Sequence, residues 1–68
     1  MKLSARNQLK GKVSSVKEGP VSTEVIIDIN GTHVASSITT TSAKKLNLQV
    51  GDEVYAVIKA SSVMVAKD

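Results

Sequence analysis

Apolar positions fall in short runs separated by turn signals at Glu18-Gly19-Pro20, Asn30-Gly31 and Val50-Gly51-Asp52. Over residues 7–16 they alternate loosely, with Leu9, Val13 and Val16 apolar, which predicts a first β-strand. Gly11 inside that run predicts a bulge or a sharp bend, as where a strand curls around a barrel. Residues 21–29 and 32–38 are β-rich and flank Asn30-Gly31. A type I′ turn needs positive φ at both central residues, and Asn followed by Gly adopts it readily, so the pair predicts an antiparallel hairpin. The pattern breaks after Ile38: a Thr40 or Thr41 hydroxyl can cap a short helix over residues 42–46, with Lys44 and Lys45 near its negative C-terminal end and Asn47 closing it. A fourth strand is expected over residues 53–58 and a fifth, after Lys59-Ala60-Ser61-Ser62, over residues 63–66. Five strands with one short helix between the third and fourth predict an all-β, OB-like Greek-key barrel, with residues 1–68 as a single domain. The runs Val25-Ile26-Ile27-Asp28-Ile29 and Val54-Tyr55-Ala56-Val57-Ile58 put apolar side chains on both strand faces. A small barrel buries one face, so the outward one calls for a neighbouring subunit.

Composition narrows the function. Val and Ile supply 15 of the 68 residues and Gly plus Pro only 5, the balance of a folded, strand-rich chain. Cysteine is absent and His33 is the one histidine, which leaves no disulfide framework and no thiolate or histidine metal centre. Chains this short need metals, disulfides or partners for support, so self-association is the expected remedy. No apolar run approaches the roughly 20 residues of a membrane span, and residues 1–10 lack the apolar stretch of a signal peptide, which predicts a soluble, cytoplasmic protein. The formal charge of +3 suits an anionic partner without identifying one.

Catalytic signatures are missing. Asp52 and Glu53 adjoin in a turn, where solvation is the ordinary role, and neither a nucleophile elbow nor a Gly-rich phosphate loop is present, so no enzyme is expected. The sign of charge is more telling. Residues 1–17, 29–51 and 54–67 contain no acid, yet hold Ser4, Arg6, Asn7, Thr39, Thr40, Thr41, Ser42, Lys44, Lys45, Lys59, Ser61 and Ser62. All are hydrogen-bond donors, and Arg and Lys are donors only. An ionised oxyanion accepts and never donates, so it fits such a set, with charged donors binding about twice as strongly as neutral ones and the N-terminal end of the short helix adding to them. On composition alone, solvated turns and surface lysines are the simpler account of the same residues.

The segment Leu3-Ser4-Ala5-Arg6-Asn7-Gln8-Leu9-Lys10-Gly11 resembles the SARNxxxG opening of the molbindins, small proteins that bind molybdate and tungstate. Their module, the mop or transport-associated OB domain, also occurs in molybdate-responsive regulators and importer ATPases. The likeness continues through Ile38-Thr39, Ser42-Ala43-Lys44-Lys45-Leu46-Asn47-Leu48, Gly51-Asp52-Glu53-Val54 and Ile58-Lys59-Ala60-Ser61-Ser62-Val63-Met64-Val65, with Asn47 where relatives often carry Gly. The resemblance implies a cytoplasmic homo-oligomer, a hexamer built as a trimer of dimers, that stores molybdate or tungstate between subunits, with no organic cofactor and no membrane. By motif, Ser4, Ala5 and Arg6 come from one chain, and Thr39, Ser42, Lys59, Ala60 and Ser61 from its neighbour. Arg6 and Lys59 balance the dianion's charge, while Ala5 and Ala60 offer only backbone N–H groups. Asn7 either contacts the anion, orients Arg6 or joins the strand ladder. The family can hold a second class of site that no motif places in this chain; the turn at Gly19, Val21 and Ser22 is a candidate for it, with an ordinary turn as the simpler reading. The alternative reading is a nucleic-acid-binding OB module, against which stands the single aromatic residue, Tyr55: such surfaces stack bases on aromatic side chains.

Overall fold

The computed structural model describes residues 2–68; Met1, the first residue of the expected domain, lies outside them. Four strands and one helix follow one another as β1 (Asn7–Glu18), β2 (Ser22–Ile29), β3 (Thr32–Thr39), α1 (Thr40–Lys45) and β4 (Glu53–Ile58), with a 3-10 turn at Ala60–Ser62. They form one antiparallel sheet ordered β3-β2-β1-β4. Three strands joined in sequence, with the fourth returning beside the first, make the expected Greek-key order.

The hairpin turn forms as its residues predict. Asn30 and Gly31 take φ of 51° and 89°, Ile29 pairs with Thr32, and the Asp28 carboxylate accepts the Gly31 N–H at 2.9 Å. Two local expectations shift. The β1 bulge lies at Ser14, between the pairs Val13–Ile27 and Ser15–Ile26, and not at Gly11. Gly11 instead marks a close crossing: a Cβ there would come within 2.5 Å of the Asp28 carbonyl oxygen, so only glycine lets β1 pass the end of β2. The helix starts two residues early. Its cap is Thr39, whose Oγ1 accepts the Ser42 N–H at 3.1 Å, and not Thr40 or Thr41. Its end follows expectation, because Asn47 takes a left-handed φ of 49°. The Asn47 N–H then reaches the Lys44 carbonyl at 3.0 Å and the Leu48 N–H the Ala43 carbonyl at 3.3 Å, the two bonds of a Schellman ending.

The fifth strand and the closed barrel are corrected. Residues 63–66 pair with nothing among the described residues, and Met64 and Val65 are 93% and 92% exposed. A β-strand exists only through a ladder, and past the 3-10 turn the tail meets no free edge of its own chain. The sheet therefore stays open, with β3 and β4 as its edges. The core is correspondingly small: Val13, Val25, Ile27 and Ala56 are buried, and Val16, Ile29, Val34, Ile38, Leu48 and Val54 pack around them. Tyr55 and Val57, on the outer face of β4, are about half exposed, and with Leu46, Leu48 and Val54 they line an apolar groove of about 470 Å³ along that edge. The outward apolar face expected from sequence is exposed on β4, whereas in the β2 run Val25 and Ile27 are buried and Ile26 and Ile29 half-buried within the chain itself.

Candidate functional site: two ends of one strand

The candidate residues gather at the two ends of β1. At its start, Asn7 pairs with Ile58, so Ser4, Ala5 and Arg6 enter the sheet where Lys59, Ala60 and Ser61 leave it. Asn7 thus takes its place in the ladder. Arg6 and Lys59 are exposed, and the one ion pair among the described residues, Lys10 with Glu53, involves neither. The 3-10 turn draws its own hydrogen bonds from Ser62 N–H to the Lys59 carbonyl, 2.8 Å, and from Val63 N–H to the Ala60 carbonyl, 3.2 Å. The N–H groups of Ala60 and Ser61 come before those bonds, where a helical turn leaves donors unspent. This end holds two cations, the Ser4 and Ser61 hydroxyls and early-turn amides.

The far end is built by hydrogen bonds. Ser22 pairs with Thr39 at the close of the β2–β3 ladder, and the Gly19 N–H bonds the Ser22 carbonyl at 3.0 Å. A Cβ on Gly19 would approach that carbonyl oxygen to 2.7 Å, so glycine is what allows the turn to close. Thr39 donates its hydroxyl proton to Ser42 Oγ at 2.8 Å while its oxygen accepts the Ser42 N–H. Thr39 is thereby committed to the cap, whereas the exposed Ser42 hydroxyl keeps its own proton to donate outward. The turn residues Gly19, Val21 and Ser22 adjoin Thr39 and Ser42 here.

One chain does not bring the two ends together. The ladders keep them apart: Asn7 pairs with Ile58 at one end of the 12-residue β1 and Glu18 with Thr23 at the other, along a contour of about 36 Å at about 3.3 Å per residue. Lys59, Ala60 and Ser61 consequently sit with Ser4–Asn7 within one chain, although the resemblance groups them with Thr39 and Ser42.

Three of the six acids are occupied away from these residues, whereas exposed Glu18 ends β1 next to Gly19 at the far end. Asp28 serves the hairpin, Asp52 accepts the Gln49 N–H at 2.9 Å, and Glu53 meets Lys10 at 3.3 Å. Adjacent in sequence, Asp52 and Glu53 turn to different partners. Among the described residues no three His, Asp or Glu side chains converge to hold a cation, and no helix is long and apolar enough to cross a membrane. The described residues therefore offer a shell of donors and no metal-ligating cluster. Sequence reading passed over Thr23 and took Thr40 for a helix cap or an anion donor; both are buried and hold this end from inside.

Residues 3–65 match the TOBE domain family. The chain belongs to that family. The TOBE chain is 61% identical over 66 residues, 96% of each partner, to the probable molybdenum-pterin-binding protein of Haemophilus influenzae. The molybdate-binding protein of Sporomusa ovata superposes with a TM-score of 0.94 at 37% identity, over 98% of this chain and all of that one. The cytoplasmic molybdate-binding protein ModG, in a molybdate-bound form, gives a TM-score of 0.84 at 51% identity over 88% of this TOBE chain and 43% of its own. These relatives are named as binding proteins, and the molbindin-type resemblance read from the SARN segment stands on firm ground.

Proposed function

We propose that this TOBE domain, residues 1–68 acting as one module, binds molybdate or tungstate between copies of the chain and stores it in the cytoplasm without catalysis. The observation that carries this reading is the acid-free donor cluster at the start of β1, joined to the hydroxyl donor that α1 holds at the strand's other end. Arg6 and Lys59 lie free of carboxylates, and the Ser42 hydroxyl is left with an unspent proton. A tetrahedral dianion needs two positive charges and a shell of donors, and a carboxylate in that shell would repel it. The relatives' names, molybdenum-pterin-binding and molybdate-binding, point to the same ligand.

The distance between the ends requires assembly. In this reading Ser4, Ala5 and Arg6 of one chain meet Thr39 and Ser42 of its neighbour, with Lys59, Ala60 and Ser61 completing the shell and Asn7 holding Arg6 in register. The turn at Gly19, Val21 and Ser22 supplies a second site class. The open edges, the apolar groove beside β4 and the exposed tail support self-association into a hexamer, a trimer of dimers, in which residues 63–66 gain the ladder that makes them a fifth strand. A shell sized for the longer metal–oxygen bonds leaves sulfate's hydrogen bonds stretched, while tungstate, nearly equal to molybdate in size, competes evenly. Nucleic acid is disfavoured because Tyr55 alone makes no stacking platform.

Titration calorimetry with molybdate, tungstate, sulfate and a single-stranded oligonucleotide tests this, alongside native mass spectrometry. The expected result is a hexamer that binds molybdate and tungstate alike and sulfate at least about tenfold more weakly, a gap of about 1.4 kcal/mol. A monomer silent to molybdate, or heat with the oligonucleotide alone, overturns it.

A further inference from the structure

Three threonines in a row, Thr39, Thr40 and Thr41, meet different fates. Thr39 is exposed and caps the helix, Thr41 is exposed, and Thr40 is 7% exposed, beyond the reach of any ligand. Its N–H and its hydroxyl proton are both directed into the turn between β1 and β2. The Thr40 N–H bonds the Val21 carbonyl at 2.9 Å, and its hydroxyl donates to the Gly19 carbonyl at 2.6 Å. That donation uses its only hydroxyl proton, so in the 2.9 Å contact with Thr23 it is Thr23, wholly buried, that donates to Thr40. A directed chain results, Thr23 to Thr40 to Gly19, in which each bond polarises the next. One residue thus ties the turn, the end of the β2–β3 ladder and the first residue of α1 into a single body. The Ser42 hydroxyl belongs to that body through its two bonds with Thr39.

We propose that Thr40 is a positioning residue for anion binding: its buried hydroxyl fixes the Ser42 hydroxyl against the Gly19–Ser22 turn, and so sets how well the shell fits a molybdate-sized anion. This rests on the reading of Ser42 as an anion donor. Without the hydroxyl, the Gly19 carbonyl and the Thr23 hydroxyl lose their partner inside the protein, and the turn must shift to find others. Ser42 then keeps its chemistry but loses its place, and selectivity suffers along with affinity.

The test is calorimetric titration of molybdate and of sulfate into the assembled full chain, as wild type, Thr40→Val, Thr40→Ser and Ser42→Ala. Thr40→Val is expected to weaken molybdate about tenfold and to narrow the molybdate-to-sulfate ratio, while Thr40→Ser, which keeps the hydroxyl and loses only a methyl, holds both within about twofold. Ser42→Ala reports on the site itself: at wild-type affinity it overturns the assignment of Ser42, and the proposal with it. If Ser42→Ala is weakened while Thr40→Val keeps wild-type affinity and ratio, the site survives and the role of Thr40 is refuted. Thr40→Ser as impaired as Thr40→Val refutes it too, since packing would then explain the loss. Should Thr40→Val fail to fold, Thr23→Val decides, because it removes the donor onto Thr40 and leaves the Gly19 bond. A loss of about threefold with a narrowed ratio supports the chain, and wild-type values overturn it.

Discussion

The two ends of β1 achieve opposite things with nearly the same residue types. Where Asn7 meets Ile58, two long cations stand in solvent beside a 3-10 turn, and no side-chain hydrogen bond of Arg6 or Lys59 is found among the described residues. Where Ser22 meets Thr39, four hydroxyls and a turn are locked by bonds of 2.6 to 3.1 Å, and the residues so bonded carry no charge. The first end supplies positive charge without geometry, the second geometry from neutral hydroxyls. An oxyanion site needs both. A lysine or arginine can be left mobile because its attraction acts over several ångströms, whereas a hydroxyl acts only at about 2.7 to 3.0 Å and must be held in place. Under the proposed function, this division of labour makes assembly a condition of binding.

The largest expected effect follows from that division. Arg6→Ala removes a charge-assisted donor, worth about 1.5–3 kcal/mol, and should weaken molybdate about tenfold to a hundredfold by calorimetry while the exposed position leaves folding intact. Ser42→Ala should cost less, as a neutral donor. Mixing the two variants, by unfolding and refolding them together, is the sharper measurement. If each site takes Arg6 from one chain and Ser42 from another, about a quarter of the mixed sites regain both and tight binding returns in that fraction. No recovery on mixing would place both residues in one chain's site and break the contrast between the ends.

Much of the fold was legible because local chemistry decided it. Asn30-Gly31 fixed a turn that needs two positive φ values, Asn47 a helix end that needs one, and the β4 boundaries at Glu53 and Ile58 follow the apolar run itself. The fifth strand was not, because a ladder is a relation between two segments: Val63-Met64-Val65 has the composition of a strand and lacks the neighbour. The bulge at Ser14 escaped for a similar reason, since Gly11 carries the visible signal for a different constraint, the crossing over β2. Among the site residues, the motif that named Thr39 and Ser42 made no distinction among the neighbouring threonines. Strand alternation does: Val34, Ser36 and Ile38 face inward along β3, and Thr40 continues their parity into the buried position. Composition marks a donor without saying whether its proton is already spent.

A stability comparison separates the two hydroxyls that the motif treats as equals. Thr39→Ala removes the cap that accepts the Ser42 N–H and should cost about 1 kcal/mol in denaturant unfolding. Ser42→Ala leaves that cap bond in place and should stay within about 0.5 kcal/mol of wild type, the usual range of an exposed substitution. Molybdate affinity should respond in the opposite order, more to Ser42 than to Thr39. Equal stability losses would mean that the far end is held by something other than its cap, and the claim of built-in geometry would weaken there.

The smallest expected effect tests whether charge acts at one end or over the whole face of the sheet. Lys10 and Glu53 lie diagonally across the β1–β4 pair at 3.3 Å, with their side chains 63% and 62% exposed. A pair so open to water is worth at most about 1 kcal/mol and commonly less, because solvent screens it and both long side chains must be ordered to form it. Glu53→Gln should therefore move the unfolding midpoint only slightly. It also raises the net charge by one, which would favour any anion if charge acted globally. Glu53 stands six residues before Lys59, about 20 Å along the strand, well beyond the roughly 8 Å screening length at physiological salt. Molybdate affinity in Glu53→Gln should accordingly match wild type, and a gain of more than about twofold would show that a diffuse field, and not the Arg6 and Lys59 end, holds the anion.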